Sequence, residues 1–387
     1  MTPKASVKDT RGPLSEELLR SYFLKAGYFV VRGVPFIYKG FDVTDIDLWL
    51  YNRVSSVSRE IGIVDIKNKK TPQAIERIFW TKGLQEALGV SRAIVVTTEN
   101  REEVKFFGKQ MDILVLDGRF LQRLKVAAPD KESRITDEDF RNLLLDDLGK
   151  LGGDWVSRIR AAKSVLAEGL SFDSCNYWMG VAHYFAEQLI SRPQRRSVCL
   201  RCFYTVVSYA AIAVDFILRD LSFLEDVERE KILKDGFIYG SRGRAGTKGL
   251  IDTSIGLIKQ FTERGETLTT ELRARVESSI SAVPANILSQ FFSRVDTGRT
   301  LFEVAKEFEA LSMAKSMQGH AGSSIGARAL IGCLLDFWSI DRKVFAREST
   351  PPEQLDLMSQ AGTDVTVVSG ETKSDSVADT DHTPTPD

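Results

Sequence analysis

Apolar residues at Leu14, Leu18, Leu19, Tyr22, Phe23 and Ala26 recur at helical spacing, and Gly27 follows as a stop, which predicts an amphipathic opening helix. The pattern then changes to strand-like runs. "YFVVRGVPFIYKG" (28–40) predicts a broken strand, or a strand pair turning near Gly33 and Pro35. "TDIDLWLY" (44–51) and "IGIVDIKN" (61–68) predict a second and a third strand. "TPQAIERIFWTKGLQEALG" (71–89) returns to helical spacing, with Pro72 in its first turn and Gly89 at its end. "SRAIVVTT" (91–98), "REEVKFFGKQM" (101–111) and "DILVLDG" (112–118) then predict strand, helix and strand. This order implies an α/β domain with a mixed sheet, a meander first and crossover units after it.

From about residue 131 the texture becomes helical. "TDEDFRNLLLDDLGKL" starts a series of amphipathic helices, with Phe140, Leu143, Leu144 and Leu148 showing the spacing, and the series runs to about residue 345. Gly152–Gly153, Pro193, Gly240–Gly249 and Pro284 punctuate it. The longest apolar run, Cys202 to Leu218, contains Asp215, so a buried helix is expected there rather than a membrane span. After Arg347 the chain turns to Ser, Thr, Asp, Pro and Gly. The expected organisation is therefore an α/β domain over 1–130, an all-α domain over 131–347 and a disordered acidic tail over 348–387.

Composition adds bounds to that picture. The 387 residues carry a net charge of −1 and 43% hydrophobic content, enough for two domains with ordinary cores. Four cysteines and a polar N-terminus without an apolar stretch of signal length fit a reducing cytoplasm. The near-neutral total hides an asymmetry: residues 1–130 hold 21 Lys and Arg against 16 Asp and Glu, and 350–387 hold eight acids and one Lys. A basic first domain is compatible with a polyanionic partner.

Candidate chemistry enters with the third strand. In "EIGIVDIKNKK" (60–70), Asp65 and Lys67 project from one side of a strand whose Val64 and Ile66 face the other way. If the second and third strands form an antiparallel hairpin across 52–59, Asp47 comes beside Asp65. Two carboxylates at close range repel unless a cation lies between them, and oxygen donors with room for water suit Mg²⁺ with a substrate phosphate. Lys67 beside such a metal can orient an attacking water or stabilise charge building on phosphate.

Asp47 followed by "LWLY", then Asp65-Ile66-Lys67, resembles the D…(D/E)xK signature of the PD-(D/E)xK, restriction-endonuclease-like superfamily, with most likeness to its Mrr-type and Holliday-junction-resolvase-like branches. The element order and the "KAGY" closing the first helix are similar too. The resemblance covers about residues 14–120, and Ile46 stands where the family has its nominal proline. It implies a Mg²⁺-dependent hydrolase of DNA phosphodiesters, Mn²⁺ substituting, with Asp47 and Asp65 as metal ligands and Lys67 as catalytic lysine. Restriction of foreign DNA or DNA repair is the setting it implies. The family often adds an acid from the first helix, matched here by Glu16 or its neighbour Glu17. Glu16 shares a face with Leu19 and Phe23, and is preferred.

Arg77 and Lys82, on the following helix, are candidates for holding phosphates, and Lys69 and Lys70 for touching them. Gln73 and Gln85 are further polar candidates on that helix, which lacks a clean Gln-x-x-x-Tyr motif. Asp45 flanks the strand. Cys199 and Cys202 read as core cysteines, His183 as a packed helix residue, and "YGSRGRAGTKG" (239–249) as a flexible basic loop without the ending of a phosphate loop. The helical part bears no recognisable site; a protein partner or self-association is the role left open for it. The rival from another class is a catalytically inactive module that keeps the nuclease fold and binds protein or nucleic acid.

Overall fold

The structure is a computed structural model that describes residues 11–67, 73–126, 133–145, 153–262 and 265–350. Lys69, Lys70, Pro72, Leu148 and Gly152, the expected boundary at 130 and all but the first three residues of the expected tail lie outside the described residues; of those three, Glu348 and Ser349 are buried, so ordered structure runs past the expected tail start at 348.

Helix α1 (Arg11–Lys25) is followed by strands β1 (Phe29–Tyr38), β2 (Phe41–Arg53) and β3 (Arg59–Lys67), helix α2 (Ala74–Leu88), β4 (Arg92–Thr97), α3 (Glu102–Gln110), β5 (Leu114–Leu116) and α4 (Gly118–Val126). The sheet order is β1-β2-β3-β4-β5. β1, β2 and β3 pair antiparallel, and β3, β4 and β5 parallel, which is the expected meander followed by crossovers. Gly27 and Gly89 end their helices in left-handed conformations, φ +94° and +63°, where a side chain would be strained. α4 was not foreseen in the sequence.

β1 is one ten-residue strand rather than two short ones. As the sheet's edge it tolerates Pro35, whose missing N–H deprives no second neighbour. Gly33, at φ +63°, stands between the pairs Arg32–Leu48 and Val34–Ile46, across from Asp47. Alternation slips there on both strands: Val31 and Val34, and Ile46 and Trp49, all join the same core.

The two sheet faces bury different partners. On one, Leu19 and Phe23 of α1 and Leu121 of α4 close over Val30, Leu48, Leu50, Val64, Ile94 and Val96. On the other, Phe29, Trp49, Tyr51 and Ile63 belong to a larger core continuous with the helices that follow. Those are α5 (Asp137–Leu145), α6 (Trp155–Glu168), α7 (Phe172–Ser191), α8 (Arg196–Leu221), α9 (Asp226–Tyr239), α10 (Gly243–Phe261), α11 (Gly265–Ser281), α12 (Ala285–Phe292), α13 (Val295–Met313), α14 (Ile325–Phe337) and α15 (Arg342–Glu348). Residues up to Thr350 form one compact unit, so the change of texture near 131 marks a change of secondary structure within a shared core.

α8 is the central helix. Its apolar run is long enough to cross a membrane, yet 94% of it is covered by the rest of the protein. Asp215 within it is fully buried and satisfied: it accepts from Tyr51 Oη and Arg59 Nε, both at 2.6 Å, and from Arg53 Nη1 at 3.1 Å. All four cysteines are buried and free, and burial pushes the Cys199 thiol up to about 12. The His183 ring stacks on Trp338 at 5.3 Å. Residues 239–249 are not a loop: Tyr239 ends α9, Gly240–Arg242 is a single 3-10 turn, and Gly243–Gly249 opens α10, with Gly240 and Gly243 at positive φ.

Candidate active site

The hairpin of β2 and β3 pairs Leu48 with Val64, which leaves Asp47 and Asp65 as the next residues across from each other. Asp47 Oδ2 accepts a hydrogen bond from Ile66 N at 2.6 Å, so the two carboxylates lie at the same end of neighbouring strands. Burial pushes the Asp47 carboxyl up to about 6, against the lowering effect of that Ile66 N–H. Glu16 pushes it further up, whereas Arg77 and Lys67 pull it down. Residues from α1, α2, β2 and β3 thus share one electrostatic environment.

Asp65 is buried and bound by Arg77 from the first turn of α2. Arg77 Nε donates to Asp65 Oδ2 at 2.8 Å, and Nη2 donates to Oδ1. This is the bidentate geometry in which guanidinium and carboxylate match best. Arg77 is therefore engaged with Asp65, and not held out towards a phosphate. The same guanidinium lies 5.9 Å from the Trp80 ring centre. Lys67 is half-buried at the end of β3, level with Thr97 of β4, and its Nζ has no hydrogen bond or ion pair among the described residues.

Glu16 is held at 2.6 Å by Arg32 Nε, from the buried side of β1 facing α1. Glu17 takes Arg32 Nη1 at 2.8 Å, and Glu138 of α5 takes both Arg32 amino groups, at 2.7 and 2.8 Å. Of the two adjacent acids, Glu16 is the one whose charge acts on Asp47. Sequence reasoning missed Arg32; the available signal was a lone cation in the apolar run "VVRGV", opposite a helix bearing paired acids.

Lys82 points to other partners, Gln85 and Glu86, both at 3.0 Å, and shares none with Asp47 or Asp65. Gln85 is buried, and its Nε2 donates to Ser91 O at 3.4 Å. Gln73 bonds Glu76 at 3.3 Å. Asp45 is exposed and pairs with Arg160 at 3.6 Å, a strand-flanking role.

No group of three or more His, Cys, Asp or Glu side chains poised to hold a metal occurs among the described residues. The pair Asp47 and Asp65 still fits Mg²⁺ in chemistry: hard oxygen donors, one of them raised by burial, for an ion that binds through one or two carboxylates and keeps its other positions for water and phosphate. The side chain that neutralises Asp65 in this structure is Arg77. Compared with known proteins, the chain matches no family model, no curated protein and no solved structure.

Proposed function

We propose that this protein is a Mg²⁺-dependent endonuclease that hydrolyses DNA phosphodiester bonds, with Mn²⁺ able to substitute. The observation that carries the reading is the meeting of Asp47, Asp65 and Lys67 at one sheet end, with Asp47 raised to about 6 by burial and Lys67 Nζ without a hydrogen bond or ion pair among the described residues. Asp47 and Asp65 would hold the ion. When bound, Mg²⁺ supplies an acidified water and a charge that neutralises the phosphate.

The chain's own groups do the rest. Lys67 Nζ would hold the attacking water, or donate to the non-bridging phosphate oxygen as charge gathers there. Asp47 Oδ2 is fixed by Ile66 N–H, which keeps one oxygen in place and leaves Oδ1 for a ligand. Glu16, anchored by Arg32, adds negative charge at the site's edge. Arg77 must let go of Asp65, and its released guanidinium would then pair with a backbone phosphate. Restriction of foreign DNA or DNA repair would both use such chemistry.

The second reading is a nuclease-like fold that binds protein or nucleic acid and does not cut. Its support is the bidentate hold of Arg77 on Asp65, which satisfies that carboxylate without any metal. An assay on supercoiled, linear, single-stranded and branched DNA separates the two. Cleavage of at least one form in Mg²⁺, abolished by EDTA, is expected; no cleavage of any form with Mg²⁺ or Mn²⁺ favours the binding module.

A further inference from the structure

At the opposite end of the β2–β3 hairpin from Asp47, a cavity of about 200 Å³ opens between the sheet and the helices. Five arginines line it: Arg53 of β2, Arg59 of β3, Arg229 of α9, and Arg294 and Arg299 at the start of α13. An arginine keeps its charge at any physiological pH, so the concentration of positive charge is permanent.

The acids nearby leave much of it unmatched. Asp215 is shared by Arg53 and Arg59. Asp226 meets Arg229 at 3.1 Å with its own side chain mostly in solvent, and Asp296 lies 3.9 Å from Arg299 and is almost wholly exposed. Such exposed pairs offset little charge.

The five divide into two roles. Arg59 and Arg229 are buried, with donors committed to Asp215 and to main-chain carbonyls such as Ser55 O and Ser293 O, so they supply positive potential. Arg53 spends Nη1 on Asp215, Gly298 O and Arg299 O, and its Nε and Nη2 make no hydrogen bond among the described residues. Arg294 makes no side-chain hydrogen bond or ion pair among the described residues, and Arg299 has only the long contact to Asp296. Arg294 is also the N-cap of α13 and makes no side-chain cap, so the first N–H groups of a nineteen-residue helix open beside these donors.

We infer that this cavity is a binding site for the phosphoryl group of a phosphorylated ligand, separate from the site at Asp47 and Asp65. Its volume is below that of a pocket for a whole drug-sized molecule and suits one or two phosphoryl groups, the remainder of the ligand lying outside. An occupant would tie the hairpin of β2 and β3 to α9 and α13, which makes the helical part a receiver of that ligand. The phosphoryl group can come from a free phosphorylated molecule or from a nucleic-acid backbone.

Titration calorimetry of the full chain with inorganic pyrophosphate, in EDTA so that no divalent ion is present, tests this without reference to cleavage. Saturable one-to-one binding is expected. Arg294→Gln together with Arg299→Gln, both exposed, should weaken it at least thirty-fold, since each lost charge-assisted contact costs about ten-fold. Arg294→Gln alone should weaken it about ten-fold, and Lys67→Ala, in the other site, should leave it unchanged. A ten-nucleotide single strand that displaces pyrophosphate assigns the phosphoryl group to a nucleic-acid backbone, and one that does not assigns it to a free molecule. No saturable binding of pyrophosphate, or equal affinity in the folded double variant, overturns the inference.

Discussion

Arg77 grips both oxygens of Asp65, and a dication would take over its charge. Removing the guanidinium should therefore have two opposite effects. Arg77→Ala leaves Asp65 and Asp47 to repel each other in metal-free buffer, costing about 2 kcal/mol for a half-buried charged pair. With the competitor gone, Mg²⁺ should bind more tightly and restore the lost stability. Thermal melts of the variant with EDTA and with Mg²⁺ check this; a variant as stable as the parent in EDTA, with no gain in Mg²⁺, would mean that the pair contributes nothing. At this scale the sequence displayed the acids and Lys67, because strand alternation and a hairpin suffice to bring them together. It did not display who neutralises whom. Arg77 suited a phosphate as well as a carboxylate, and Arg32 became visible as the anchor of Glu16 only once β1 lay under α1.

Among elements, the least legible were those set by tertiary context. β1 looked broken at Gly33 and Pro35, but an edge strand accommodates both, and the glycine carries the slip in alternation across from Asp47. α4 is short, and its Leu121 finds burial only against α1 and the sheet. α5 shows what holds such pieces together. Its Asp137 is half-buried between Lys163 of α6 at 2.6 Å and Arg20 of α1 at 3.0 Å. Burial alone would raise this carboxyl; Lys163 and then Arg20 outweigh it and hold the group down to about 2, from an ordinary 3.8. A carboxyl depressed in the folded state contributes stability that is complete above the unfolded value and is lost as pH falls through the folded one. Acid unfolding should therefore steepen between about pH 4 and pH 2, with about 2 kcal/mol from this residue. Asp137→Asn should cost about 3 kcal/mol at pH 7 and flatten that limb, as denaturant melts across the pH range would register. An acid limb with the parent's slope would show that Asp137 does not carry it.

Across the whole molecule, sequence texture suggested a first domain complete by residue 130, because the change from alternating strands to helices is abrupt there. Texture reports local periodicity and is blind to which sheet face the later helices cover. Phe29 meets Tyr209 of α8, Tyr51 meets Phe302 of α13, and Asp215 joins α8 to β2 and β3. A fragment ending near residue 130 would bare Phe29, Trp49, Tyr51 and Ile63, each worth about 2 kcal/mol when buried. It is expected to bind hydrophobic dyes and aggregate, whereas the full chain stays monodisperse; a soluble, cooperatively melting fragment would show that α1, α2, α3, α4 and the sheet suffice. Of the three residues proposed to form the cutting site, Asp47, Asp65 and Lys67, Lys67 is the one whose side chain makes no hydrogen bond or ion pair among the described residues. The most direct measurement is single-turnover cleavage, in Mg²⁺, of the best DNA substrate by Lys67→Ala, with the variant's melting temperature and DNA affinity taken alongside. A fall of about 10²–10⁴-fold in rate with melting and affinity unchanged is expected, since the ammonium acts on the transition state. Cleavage at the parent's rate would contradict the assignment.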